Sequence, residues 1–183
     1  SNWDAVIDMY IYGKLGNLTM TKEGINVLMT NLTGKVPPIL QRLDYIRFNG
    51  EAAGYLHDLT LTGLFYTGAG MVKTDVMMSI DEQSMSRTYS GSVASADLDL
   101  GKLLNQEKKF GKVDFNVELK GFNYKNRYPE SYIKGIISSF EYSQYQYENI
   151  MVDGVYKDGG FNGRLSMDDA NGSVQIDGNF NVA

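Results

Sequence analysis

The chain has 183 residues, with 17 Lys and Arg against 22 Asp and Glu, so its formal net charge is −5 at pH 7. It has no cysteine and one histidine, His57, which excludes a disulfide framework, a thiolate nucleophile, a sulfur-ligated zinc or iron–sulfur site and a centre built on several histidines. The acidic balance also argues against a nucleic-acid partner, which needs a basic face to neutralise phosphates.

Twenty Gly beside 13 Tyr and 8 Phe is a mixture that lowers helix propensity and favours strands, so a mainly β chain is expected. At this length a chain buries roughly 70% of its unfolded surface, enough for a real core in one domain. No stretch approaches the ~20 apolar residues of a membrane-spanning helix, and no signal peptide opens the chain. Ser1-Asn2 reads as the scar of a cleaved expression tag, so residues 3–183 are expected to form one all-β region cut from a longer protein, with room for a subdivision near 98–111.

Period-two alternation predicts about eleven strands, and the first two lie over 5–12 and 15–20. Thr21 then N-caps a helix whose Ile25, Leu28, Met29 and Leu32 share one face. Pro37-Pro38 suits the first turn of a second helix, carrying Ile39, Leu40 and Leu43. Strands follow over 43–54, 57–66, 71–80 and 86–97, and Asp99 opens a third helix with Leu100, Leu103 and Leu104. The last strands are predicted over 112–124, 131–142, 145–156, 160–167 and 172–182. Turn chemistry separates most of them, as in Gly68-Ala69-Gly70, Asp158-Gly159-Gly160 and Asp168–Gly172. One apolar and one wet face per strand, with short connections, implies an antiparallel meander of about ten or eleven strands forming a curled, open sheet with two or three short helices. The helices are expected to plug one end of its apolar face.

A weak repeat, apolar-x-apolar-x-Gly-x-apolar, recurs along the chain. It reads Ile46-x-Phe48-x-Gly50-x-Ala52, Leu59-x-Leu61-x-Gly63-x-Phe65, Ile150-x-Val152-x-Gly154-x-Tyr156 and Val174-x-Ile176-x-Gly178-x-Phe180, with Tyr89-x-Gly91-x-Val93 and Val117-x-Leu119-x-Gly121 as partial copies. The glycine always shares the apolar side. Interior strand glycines weaken a sheet, so the repetition has a cause. They either let the sheet bend, or leave a groove along the apolar face where side chains are missing, or do both.

Nothing in the chain assembles into catalytic equipment, and no enzyme is expected. His57 opens a strand with the parity of Leu59 and Leu61, and no serine is singled out as its partner. Asp75 with Asp81-Glu82, or Asp114 with Glu118, lie on wet faces or loops rather than flanking a cleft, as a glycosidase pair would. Asp168-Asp169-Ala170-Asn171-Gly172 lacks the spacing of a calcium loop and reads as a hairpin turn, so no metal or cofactor is predicted. Phe140, Tyr142, Tyr145 and Tyr147 with Tyr124, Tyr128 and Tyr132 form a dense aromatic group, suited to cross-strand pairing and also to stacking on sugars.

The stretches Leu98-Asp-Leu-Gly-Lys-Leu-Leu104, Gly111–Gly121 and Tyr147–Gly178 resemble the TamB branch of the AsmA-like proteins of Bacteroidetes. Pro37-Pro38 through Gly54 and Asp58–Gly63 share the same texture. The resemblance implies a periplasmic segment of a long envelope protein anchored in the inner membrane, whose strands form a folded-over β-taco with an apolar interior. It also implies a part in outer-membrane biogenesis, by moving phospholipid between membranes or by assisting a barrel insertase. The partners implied are lipid acyl chains or that assembly machinery.

The repeat and the resemblance meet on one candidate site. Its lining is expected from Ile46, Phe48, Leu59, Leu61, Val117, Leu119, Ile150, Val152, Val174, Ile176 and Phe180. Ordinary core packing is the competing reading of each of these residues. The competing functions are an all-β module that binds glycan or a protein partner through its tyrosines, and a structural spacer. Unpaired strands at the sheet's edges would also favour self-association in vitro.

Overall fold

A computed structural model describes residues 10–33, 36, 38–55, 57–81, 83–84, 86–123, 130–158 and 160–181. The chain forms β1 (Tyr10–Thr21), α1 (Lys22–Thr33), a 3-10 turn (Leu40–Arg42), β2 (Tyr45–Tyr55), β3 (Asp58–Thr67), β4 (Gly70–Asp81) and β5 (Ser86–Asp99). Then come α2 (Leu100–Leu104), β6 (Phe110–Asn123), β7 (Glu130–Tyr142), β8 (Tyr145–Lys157), β9 (Gly160–Asp169) and β10 (Gly172–Asn181). All ten strands lie in one sheet in sequence order, every neighbouring pair antiparallel. The sheet is an open meander: β1 and β10 are its edges and do not pair with each other.

The strands predicted over 5–12 and 15–20 form a single β1 from Tyr10 onward, and residues 5–9 lie outside the described residues. The break predicted at Gly13-Lys14 is absent, since these residues pair with Ala52 and Glu51. The irregularity falls instead inside the strand predicted over 15–20, where the pairing passes from Leu15↔Gly50 to Leu18↔Phe48, so two residues of β1 oppose one of β2. This is a bulge, with Asn17 at φ 59° taking the left-handed conformation that asparagine tolerates. The predicted second helix is one 3-10 turn: Leu43 is already extended (ψ 127°), and its N–H donates to the Leu40 carbonyl at 3.2 Å. Pro37 lies outside the described residues. The other two helices start where the sequence places them. The Thr21 hydroxyl accepts from the Gly24 N–H at 3.5 Å, and the Asp99 carboxylate accepts from the Lys102 N–H at 2.9 Å.

The helices close one end of the sheet's apolar face. Ile25 of α1, Leu43, Ala69 of the β3–β4 turn, Leu98, Leu103 of α2 and Val113 form the buried cluster, with Met20, Ile46, Phe115 and Phe140 packed against it. Two hydrogen bonds tie the plug together: the Lys22 N–H to the Asp44 carbonyl at 3.0 Å, and the Arg42 guanidinium to the Leu103 carbonyl at 2.9 Å. Away from this plug no second layer covers the face among the described residues, and each strand packs chiefly on its neighbours. Ala52 and Thr74 are nevertheless only 2% and 8% exposed, so side chains of the same face fold over them. Bulges on the β5–β6 and β6–β7 pairs add twist toward the same end.

The glycines explain how the strands come so close. Gly50 and Gly63 face each other, and a Cβ on either would lie 2.6 Å from the other's Cα. Gly154 on β8 and Gly163 on β9 repeat the arrangement, and a Cβ on Gly154 would sit 2.8 Å from the Gly163 Cα. At Gly54 and Gly91, φ is 120° and 144°, values that side chains rarely adopt. Gly63→Ala should therefore lose about 1–3 kcal/mol of stability through overpacking against backbone that cannot move aside. Gly68→Ala, in open space on a turn, should be close to neutral. Urea unfolding of the two variants beside the parent chain checks both.

Candidate functional site

The register decides which residues share a face, because directly paired residues of an antiparallel sheet project to the same side. One transverse row runs Gly13–Ala52–Leu61–Val76–Gly91–Leu119–Ile133–Gly154–Gly163–Gly178 through all ten strands. The next runs Leu15–Gly50–Gly63–Thr74–Val93–Val117–Gly135–Val152–Leu165–Ile176. Flanking rows bring in Phe48 with Phe65, Ile150 with Met167 and Val174, and Leu59 with Met78. All eleven predicted lining residues thus fall on one face, although the side chain of Phe180 lies outside the described residues.

Their surroundings differ along the sheet. Phe48 on β2 and Leu59 on β3 are buried, and Ile46 packs on the helical plug, so on these two strands most of the predicted lining is core. Leu61, Val117, Leu119, Ile150 and Val152 are half-buried. Val174 and Ile176 on the last strand are 47% and 45% exposed. The glycines do not form a groove by leaving space in the interior. The Phe48 ring lies over Gly50 and Gly63, the Phe161 ring over Gly154 and the Tyr89 ring over Gly121, each where a Cβ would otherwise stand. Among the described glycines within strands, the space is open on the two edge strands, at Gly13, Gly16, Gly172 and Gly178. What the face offers is a continuous apolar surface, deep beside the plug and increasingly exposed toward β10.

The opposite face carries a feature that the alternation alone does not reveal. Between the two glycine-bearing rows lies a row of polar residues, Lys14–Glu51–Thr62–Asp75–Ser92–Glu118–Lys134–Asp153–Arg164–Asp177, which also crosses all ten strands without a slip. From Glu118 to Asp177 its charges alternate in sign. Lys134 Nζ lies 3.3 Å from Asp153, Arg164 Nε 2.7 Å from Asp177, Lys14 Nζ 3.7 Å from Glu51, and the Thr62 hydroxyl donates to Asp75 at 2.9 Å. The signal was present in the sequence as charges flanking the repeated glycines: Gly50-Glu51, Lys134-Gly135, Asp153-Gly154, Gly163-Arg164 and Asp177-Gly178. Only the register shows that these charges face one another.

Two carboxylates of this row, Asp153 and Asp177, are held as anions. The Tyr132 hydroxyl, donating at 2.7 Å, and then Lys134 keep Asp153 below the ordinary aspartate range. For Asp177 the hydrogen bond from Gln175 and then that from Arg164 do the same. Clefts open beside the row, among them one of about 490 Å³ lined by Glu118, Lys134, Met151, Asp153 and Arg164, one of about 390 Å³ lined by Asp153, Asn162, Arg164 and Asp177, and one of about 370 Å³ lined by Met77, Lys120, Phe122 and Tyr132.

The other candidates have structural work. His57 stacks on Tyr55 with ring centroids 5.2 Å apart. The Asp81 carboxylate accepts the Ser84 and Gln83 N–H groups, which hold the β4–β5 turn and lower its pKa. Glu82 lies outside the described residues. Asp169 accepts the Asn171 N–H across the two-residue β9–β10 turn, and no group of metal-ligating side chains occurs among the described residues. Tyr145 and Tyr147 pack edge to face at 4.6 Å, and Phe140 and Tyr142 pack with Phe110. Tyr124 and Tyr128 lie outside the described residues.

Compared with protein-family models, curated proteins and solved structures, the chain matches none.

The depressed aspartate pKa values fix the sign of a pH effect. A carboxylate whose folded pKa is lowered contributes stability above its unfolded value, about 3.9, and loses that contribution as the pH falls through the folded value. The urea midpoint should therefore fall as the pH drops from about 5 to about 3, with a shallower fall in Asp153→Asn than in the parent chain.

Proposed function

We propose that this chain is a non-catalytic segment of an AsmA-like, TamB-type envelope protein that carries apolar chains along one face of its sheet. The observation that carries the reading is the one-sided single layer. From Val117 and Leu119 on β6 to Val174 and Ile176 on β10 the central rows of the face hold no charged side chain, and among the described residues no second layer lies over them. An acyl chain laid there gains about 0.8 kcal/mol for each methylene removed from water, with no requirement for a polar contact. The opposite face, with its charge row, stays in solvent. The envelope setting, the periplasmic location and the membrane anchor of the parent protein come from the resemblance of Leu98–Leu104, Gly111–Gly121 and Tyr147–Gly178 to that family. Phospholipid transport and assistance to a barrel insertase both fit such a surface, and lipid is the occupant that the uncharged lining favours.

The test is uptake of a fluorescently labelled long-chain fatty acid, together with mass spectrometry of lipid extracted from the purified chain. Ile176→Arg should keep the unfolding midpoint and lose uptake, because its side chain is nearly half exposed. Phe48→Arg should unfold the chain, because Phe48 is 4% exposed against Phe65 at 4.7 Å. Absence of uptake by the parent chain, or full uptake by Ile176→Arg, would overturn the reading. Quenching of tyrosine fluorescence by saccharides in its place would favour the glycan-binding module.

A further inference from the structure

The sheet ends on two edges that match each other. In the charge row β1 contributes Lys14, whose side chain is 87% exposed, and β10 contributes Asp177, whose side chain is 55% exposed. In the neighbouring rows β1 contributes Gly13 and Leu15, and β10 contributes Gly178 and Ile176. The number of strands is even and every pair is antiparallel, so β10 runs opposite to β1. A second copy placed beside β10 by translation across the sheet therefore presents its β1 in the orientation that an antiparallel ladder needs.

We propose that β10 of one copy pairs with β1 of a second copy in the register Asp177↔Lys14, which extends the sheet and its three central rows. In that register Gly178 faces Gly13 and Ile176 faces Leu15 on the apolar side, while Asn179 faces Tyr12 on the polar side. The alternation of charge continues as Arg164–Asp177–Lys14–Glu51. The open space beside Gly13 and Gly178, where a Cβ would meet nothing within 4 Å, accommodates the close approach made elsewhere by Gly50 with Gly63 and by Gly154 with Gly163. The Gly16-Asn17 bulge of β1 ends the matched ladder after Leu15, so the joint is short, running from Tyr10 to Leu15 against Ile176 to Asn181. A bulge and a charged residue are the devices that blunt an edge strand against indiscriminate pairing. Here they leave one short segment able to pair, and a positive charge on it that selects a strand carrying a negative one. The contact is head to tail, so assembly continues copy by copy or closes into a ring.

The absence of cysteine makes the test clean, because each variant carries a single thiol. Tyr12→Cys and Asn179→Cys lie on exposed edge positions of the polar face, where substitution leaves the buried cluster untouched. Directly opposed strand residues bring their Cβ atoms within about 4.5–5.5 Å, close enough for a disulfide after small adjustment. Mixed under mild oxidation, the two variants should form the mixed disulfide dimer several-fold faster than either forms its own. They should also form it several-fold faster than Tyr12→Cys with Gln175→Cys, which is four residues out of register, and added salt should slow the reaction. Unchanged circular dichroism of each variant confirms that the fold persists. Predominance of either self-dimer, equal rates in and out of register, or no cross-linking up to the solubility limit would overturn the proposal.

Discussion

The structure depends on one constraint: ten strands pair in register so that a side-chain row crosses the whole sheet without a slip. A single layer has no second sheet to bury its apolar residues against, so burial has to come from neighbours on the same face. That works only if large residues stand beside gaps. The facing glycines provide the gaps, and Phe48, Tyr89 and Phe161 lay their rings across them. A one-residue slip would turn every apolar side chain into solvent. A two-residue slip would keep the faces but drive a Cβ into the backbone opposite Gly50 or Gly163. Register is therefore set by sterics on one face, and the charge row on the other face discriminates by sign. Because those ion pairs are largely exposed, they add little to stability and act as a check on pairing.

The same constraint shapes what the molecule offers to others. Steric matching buries residues near the helical plug, where Ile25, Leu43, Leu98 and Leu103 close the end of the face. Toward β10 no such cover lies among the described residues, and the apolar rows run out to an edge where Val174 and Ile176 are nearly half exposed. An apolar face that is deep at one end and open at the other suits an elongated apolar ligand better than a compact polar one. Edges whose rows end on complementary residues suit continuation of the sheet. Both features follow from central rows that cross all ten strands without a slip.

Much of the fold was legible from period and punctuation. Alternation placed nine of the ten strands within a few residues of their observed ends, and Thr21 and Asp99 marked two helix starts through their side-chain oxygens. The failures have local causes. The break predicted at Gly13-Lys14 does not occur because both residues have partners on β2, Ala52 and Glu51, and the one irregularity of β1 is a bulge at Gly16-Asn17, inside the strand predicted over 15–20. Pro37-Pro38 suggested a helix longer than the observed turn, because Leu43 leaves it to enter the buried cluster rather than to continue a helical face. The glycine repeat was visible, but whether each missing side chain makes a groove or admits a ring depends on what stands across the strand.

The sequence by itself determined the class of structure: mainly β, antiparallel and one-sided, with glycines on the apolar side and charges beside them. These are properties of the order of residues along one strand, and local alternation is sufficient to specify them. Tertiary structure alone decided which strands are neighbours, that the Phe48 and Leu59 side chains are core while Val174 and Ile176 are exposed, and that scattered acids and bases form one row. Those properties belong to pairs of residues distant in the chain, and only the hydrogen-bonded register brings such pairs together.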